Sequence, residues 1–481
     1  MSGGGAAQRR LDALRATVRQ DLRKLGEPAP AWPATPAGLD CDVLIVGAGH
    51  CGLAAAFGLK RAGVANLRIV SQDAAGEEGP WRTFARMPTL RSPKHAPGPE
   101  LGIANLAYES WHVARYSQAA YDALDLIRTE DWAAYIDWFK TVIGVDVAQG
   151  RRMVDIAGDA AAITARFADG GAIRARQVVL ATGMDALGAP AWPAPFDGLP
   201  ESVCHTCYGP IDFARLGGKA VAVIGAAATG FDNAAAALEA GAKQVDLYCR
   251  LPALRTVNRM KGVAAYGAVA HWADFDDATR WRFAHLGSSQ TAAPIAPTLE
   301  RACIWPNFRI LLGAEIEAAE PIDGDVTIRA NGVARRYGAV LIGTGYRIDA
   351  TARPELDQVV AAMARWRDRY TPPAELAAAA LGEYPYLDDG FAFTSKTPGA
   401  ADWLSRLRLF AGPAVVSMGR IVGESGNLKY GVPRLVRAVT AALAEEDSAA
   451  LFEIAAGYDV AEITAADYAA HAHPADQPDD Q

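Results

Sequence analysis

At 481 residues the chain exceeds one ordinary domain and suggests two or three. It is 51% hydrophobic, enough for a large core, and its 47 basic and 55 acidic residues sum to −8 with no basic stripe, which sets aside a nucleic-acid partner. No apolar run reaches the roughly 20 residues of a bilayer span, no apolar stretch follows Arg9-Arg10 to make a signal peptide, and six cysteines are too sparse for a secreted disulfide framework; the expectation is a cytoplasmic protein with no membrane contact.

Residues 1–40 form an N-terminal extension. Leu11, Leu14, Val18, Leu22 and Leu25 recur at helical spacing and mark one apolar stripe. A Pro-rich linker follows, GEPAPAWPATPAGLD. Such a helix packs on the body of the chain or on a partner subunit, so a homodimer is an open expectation.

At Asp42 the pattern becomes strand, glycine turn, helix: DVLIVGAGHCGLAAAFGLKRAG. In Gly47-Ala-Gly49-His-Cys-Gly52 the first glycine permits a tight turn, the second lets backbone approach a pyrophosphate, and the third lets helix and strand pack closely. The helix start offers free N–H groups and a partial positive charge to phosphates. The second strand, LRIVS, ends at Ser71 where dinucleotide folds usually place an acid for the ribose hydroxyls. Either Ser71 binds the ribose or Asp73 reaches back. His50, inside the turn, either touches the cofactor or is simply exposed.

A second unit starts at Lys219, KAVAVIGAAATGFDNAAAALEAGAKQVDLYCR. Its turn is Gly225-Ala-Ala227-Ala-Thr229-Gly230, with Ala227 at the middle glycine position. Its second strand ends at Arg250, and a cation there suits the 2′-phosphate of NADPH better than the free ribose of NADH. Strand-like runs also occur at 177–183 and 339–345. From residue 459 to 481 the chain is Ala-, Asp- and Pro-rich, a frayed tail.

Several short strings carry a family resemblance. Glu78-Gly79-Pro80-Trp81-Arg82 is similar to the Gly-Gly-Thr-Trp-Arg loop of the flavin-containing monooxygenase superfamily. Ala181-Thr182-Gly183 and Gly343-Thr344-Gly345-Tyr346 match its two ATG segments, and Phe196-Asp-Gly198 followed by His205-Thr206 resembles its F-x-G…H-S/T fingerprint at a longer spacing. Where that superfamily has Thr-Asn, this chain has Thr89-Leu90-Arg91-Ser92-Pro93, which looks more like the T-L-R-D-P string of the ornithine and lysine N-hydroxylases. The matches are scattered over residues 42–350, with LKYGVPRLV at 428–436 as a further candidate, and the resemblance points to the class B flavoprotein monooxygenases, including the N-hydroxylating ones.

That resemblance implies FAD and NADPH as cofactors. Hydride passes from NADPH to FAD, reduced flavin meets molecular oxygen, and a C4a-hydroperoxide gives one oxygen atom to a small organic molecule, at nitrogen or sulfur. Candidate catalytic residues are Arg91, Lys94 and His205; Arg91 and Lys94 could hold NADP⁺ or a substrate carboxylate, and Arg is the better bidentate partner. Candidate cofactor residues are Gly47, Gly49, Gly52, Ser71, Asp73, Trp81, Arg82, Thr182, Gly183, Gly225, Ala227, Thr229, Gly230, Arg250, Thr344 and Gly345. A Baeyer–Villiger oxygenase is one alternative. Another is a flavin disulfide reductase using Cys204-His-Thr-Cys207. Trp111, Trp132, Trp138, Trp272 and Trp281 read as core, and no metal motif is present.

The expected architecture is α/β: two doubly wound dinucleotide-binding lobes, with the FAD lobe split into 41–210 and 336–458 and the nicotinamide lobe, 211–335, inserted between.

Overall fold

The computed structural model describes residues 3–27, 32–264, 267–289, 293–422, 424–473 and 475. Part of the expected linker (28–31) and most of the expected tail beyond 473 lie outside them.

Two parallel sheets organise the chain. The first holds β1 (Cys41–Val46), β2 (Leu67–Val70) and β3 (Ala172–Leu180). Its order is Val147–Ala148, β2, β1, β3, then an antiparallel extension by Ile163–Phe167 and Met153–Gly158; Leu407–Leu409 also pairs with β3. Every residue of β1 is buried, as expected of a strand covered on both faces. Helix α2 (His50–Arg61) covers one side and meets α5 (Leu428–Glu446) so closely that a Cβ on Gly58 would lie 2.7 Å from Val432.

The second sheet is wholly parallel, in the order Cys204–Thr206, β6 (Ala339–Ile342), β4 (Ala220–Ile224), β5 (Gln244–Cys249), Phe308–Leu312. Helix α4 (Ala228–Glu239) follows β4, and a three-stranded antiparallel sheet, residues 316–337, covers the other face. This corrects the expected boundaries of the inserted lobe. Cys204–Thr206 and β6 belong to the second sheet although both fall outside 211–335. Both strands are short, and only their pairing, not their composition, assigns them to a lobe. The two crossovers between lobes pair with each other, Gly188–Pro190 antiparallel to Tyr346–Ile348.

Helix α1 (Gly3–Lys24) lays Leu11 and Val18 into an aromatic layer formed with Tyr108–Arg115 and α3 (Thr129–Ile143). Trp111, Trp132, Trp272 and Trp281 are buried, as the core reading expects, and Trp138 is half-buried. Arg176 is buried with Asp42, Glu446 and Asp447 around its guanidinium, which ties the end of α5 to the first sheet. Among the described residues no helix is long and apolar enough to cross a membrane.

Candidate functional site

The first glycine turn is built as a phosphate cradle. Gly47 has φ 106°, and a Cβ there would meet Ala181 O at 2.3 Å. A Cβ on Gly52 would stand 1.9 Å from Gly47 O, so only glycine lets α2 start this close to β1. Gly49 caps the helix in extended backbone, and a Cβ on it would meet nothing within 4 Å. That open space faces the unbonded N–H groups of the helix start, where a pyrophosphate fits. At the end of β2 Ser71 is buried, and its Oγ accepts the N–H of Asp73 at 3.2 Å. The Asp73 carboxyl is pushed up by burial and by Glu78.

The second turn repeats the geometry. Gly225 has φ 109° and backs onto Gly343 O; a Cβ on Gly230 would meet Gly225 O at 1.9 Å. Ala227 is the helix cap. Arg250 follows β5 directly and is exposed.

Between the lobes lies a cleft of about 790 Å³. Gly47, Gly49, Ser71, Asp73, Trp81, Thr182, Gly183, Arg91 and Thr229 all line it, so the structure gathers the core of the expected site into one place. Trp81 brings a buried indole N–H with no protein partner. His50 also lines the cleft, 5.8 Å from the Trp81 ring, and desolvation lowers its pKa to about 4, which keeps it neutral near pH 7.

Arg91 crosses the cleft. Its Nη2 donates to Asp232 Oδ2 on α4, a carboxylate only 3% exposed. Burial raises the Asp232 pKa, against the opposing pull of Arg91 and Arg301. A second tie runs beside it, Arg301 Nη1 to Arg86 O at 2.7 Å. Among the described residues Arg91 makes no other hydrogen bond, so the remaining edge of its guanidinium is left for a ligand in the cleft.

Other expected residues stand elsewhere. The Lys94 ammonium donates to the carbonyls of Tyr121 and Asp122 at 2.9 and 3.0 Å, closing the end of a short helix. His205 sits within a strand of the second sheet, its pKa lowered by burial and by Lys219. Arg82 braces the 76–82 loop through Gly76 O and Asp137 rather than facing the cleft. Thr344 bonds Ala191 O, and Gly345 donates its N–H to Tyr208 Oη at 2.9 Å, so this pair sits at the lobe crossover.

None of the six cysteines forms a disulfide. Cys204 and Cys207 lie in separate apolar clusters, and burial pushes Cys204 up to about 12 and Cys207 higher still. Neither is poised as a thiolate.

Sequence reasoning passed over Asp232, Tyr208 and Arg353, all of which line the cleft. Only Asp232 carried a signal: an acid on the buried face of an Ala-rich helix, directly after the turn.

Residues 41–271 match the family model described as pyridine nucleotide-disulphide oxidoreductase. The FAD-dependent urate hydroxylase of Xanthomonas campestris pv. campestris is 35% identical over 462 residues, covering 94% of this chain and 97% of that one. L-lysine 6-monooxygenase from Pseudomonas syringae superposes with a TM-score of 0.65 at 15% identity, over 84% of this chain and 100% of that chain. An ornithine N-hydroxylase from Kutzneria sp. 744, solved with FAD, NADP⁺ and L-ornithine, gives 0.62 at 14% identity, over 83% and 99%. At those identities the structural likeness speaks for the fold.

Proposed function

The chain belongs to the flavin-dependent oxygenase family that contains the urate hydroxylase, and from that premise we propose that it uses NADPH and molecular oxygen to insert one oxygen atom into a small, acidic, nitrogen-bearing molecule, with urate as the first candidate. The observation that carries the reading is Arg91: a guanidinium inside the cofactor cleft, fixed from the opposite lobe by a buried carboxylate and open on its remaining edge. A planar fork of donors suits an acidic heterocycle better than an ammonium side chain.

When bound, FAD supplies the redox chemistry, accepting hydride and passing electrons to oxygen. The protein's part is positional. The helix starts at Gly49 and Ala227 would hold the two pyrophosphates and Arg250 would take the 2′-phosphate, while Trp81, with its buried unpartnered N–H, would form part of the cleft wall. Arg91 orients the substrate while Asp232 fixes the angle of its guanidinium. His50, held neutral by desolvation, adds no charge beside the flavin site. Six cysteines outside any disulfide suit a reducing compartment, and we place the enzyme in the cytoplasm.

The test measures oxygen consumed against peroxide released during NADPH oxidation, with urate, ornithine and lysine in turn. Urate should lower the peroxide share and yield a product heavier by one oxygen atom, and Arg91→Ala should raise its KM. Peroxide equal to oxygen consumed with every substrate would overturn the oxygenase reading for these compounds. Coupling with lysine or ornithine alone would overturn the acidic-substrate reading and favour amine hydroxylation.

A further inference from the structure

Among the described residues the longest stretch that packs on nothing is the C-terminal arm. Helix α5 ends at Asp447, which is firmly held: its carboxylate binds Arg176 and accepts Trp32 Nε1–H at 2.7 Å. Beyond it, every residue from Ser448 to His473 is exposed. Helix α6 (Ser448–Ala456) reads SAALFEIAA and buries none of its residues. Leu451, Phe452, Ile454, Tyr458, Val460, Ile463 and Tyr468 stand between 40% and 70% exposed. A run of large apolar side chains on this scale marks an interaction surface. The same stretch holds Glu453, Asp459, Glu462 and Asp467 and no Lys or Arg. That charge disfavours an anionic lipid surface or a nucleic acid and asks for a basic protein face.

The chain carries such a face. Helix α1 buries Leu11 and Val18 inward, while Arg9, Arg19, Arg23 and Lys24 are exposed on its outer side and form no ion pair among the described residues. Leu25, 59% exposed, lies at its end. Tyr116, whose carbonyl accepts from Arg10, adds a second apolar foothold.

We propose that the arm of one copy docks on the α1 face of a second copy, the two arms being exchanged about a twofold axis. Three of the seven apolar side chains are aromatic, a type that buries about 150–250 Å² in full, and half or more of each is still open to a partner. With the aliphatic four, one arm approaches the ~800 Å² that each partner gives to a standard interface. Exchange makes the contact isologous and closed, so it stops at the dimer. The pinned base at Asp447 leaves less chain to order on docking. This inference does not depend on the catalytic reading.

Sedimentation velocity of the flavin-loaded full chain over a micromolar concentration series tests it, with flavin spectrum and melting temperature as fold controls. The parent should dimerise. Phe452→Asp with Ile454→Asp, at two exposed positions, should raise the dimer Kd about 100-fold. Arg19→Glu with Arg23→Glu should raise it about tenfold, and less at high salt. The second variant leaves the arm intact, so it tests the receiving face even where the first misfolds. A parent that stays monomeric would overturn the proposal in favour of an arm folded on its own α1. A dimer indifferent to both variants, or flotation of the parent with phosphatidylcholine–phosphatidylserine vesicles, would also overturn it.

Discussion

The two glycine turns share a backbone, and at the middle glycine position they differ by one methyl group. Gly47 and Gly225 have φ 106° and 109°. A Cβ on Gly52 or Gly230 would fall 1.9 Å from the carbonyl oxygen of Gly47 or Gly225. The middle residues, Gly49 (φ −65°, ψ 177°) and Ala227 (φ −89°, ψ 176°), are both extended, a conformation open to any residue. The outer glycines are therefore conditions of the fold, while the middle one is a condition of the ligand. A methyl group is tolerated by the chain at either turn and matters only through the phosphate it faces.

The largest effect should come from breaking the shared part. Gly52→Ala or Gly230→Ala drives a Cβ into backbone, which cannot yield without moving the helix, and each should cost upwards of about 3 kcal/mol. Thermal melts should show the loss in the corresponding lobe, and an unchanged melting temperature would refute the close-packing argument. Gly49→Val is the contrasting case. Its Cβ meets nothing, so apo stability should barely move, yet FAD should be lost, with affinity down about 100-fold or more. Flavin content and apo melting temperature, measured together, separate the two kinds of glycine.

How much was legible in the sequence follows the same division. Both turns, their strands and the flavoprotein family could be read because a glycine spacing and a buried apolar run are local. The lobe boundaries could not, because Cys204–Thr206 and β6 are short strands assigned only by the neighbours they pair with. Arg91 and Lys94 looked alike in one basic loop. The fold sends Arg91 across the cleft to Asp232 and ties Lys94 to two carbonyls. That separation depends on a partner 141 residues away, beyond any periodicity. Ser71 and Asp73 both line the cleft and are hydrogen-bonded to each other, the Asp73 N–H donating to Ser71 Oγ, so the two act as one unit there.

Smaller effects should sharpen the difference between the lobes. Arg250 is exposed directly after β5, and if it takes the 2′-phosphate, Arg250→Ala should weaken NADPH by about 1.5–3 kcal/mol and leave NADH nearly unchanged. Equal losses would remove the NADPH assignment. Ala227→Gly restores the middle glycine in the second turn. It should tighten NADPH about three- to tenfold without altering FAD binding, the gain limited by the extra chain entropy of glycine. Titration of the flavin-loaded enzyme with NADP⁺ reads both.

The smallest effect concerns the residues packed behind the second turn. Cys207 Sγ lies 3.5 Å from where a Cβ on Gly343 would be, and Gly343 O is the atom Gly225 backs onto. Cys207 is thus a filler beneath the nicotinamide turn, and Cys204 packs in a different cluster with Phe196 and Tyr248. A disulfide relay needs a thiolate near neutral pH, whereas burial raises both thiols far from it. Cys204→Ser with Cys207→Ser should therefore keep NADPH oxidation and oxygen consumption within about a few-fold of the parent, a small loss caused by a hydroxyl placed in an apolar site. His205→Ala is the companion, because the family fingerprint gives weight to that histidine rather than to its neighbours. It should reduce oxygen consumption more than the double cysteine variant does. A dead double variant beside an unaffected His205→Ala would move the chain to the disulfide-reducing branch of flavoproteins.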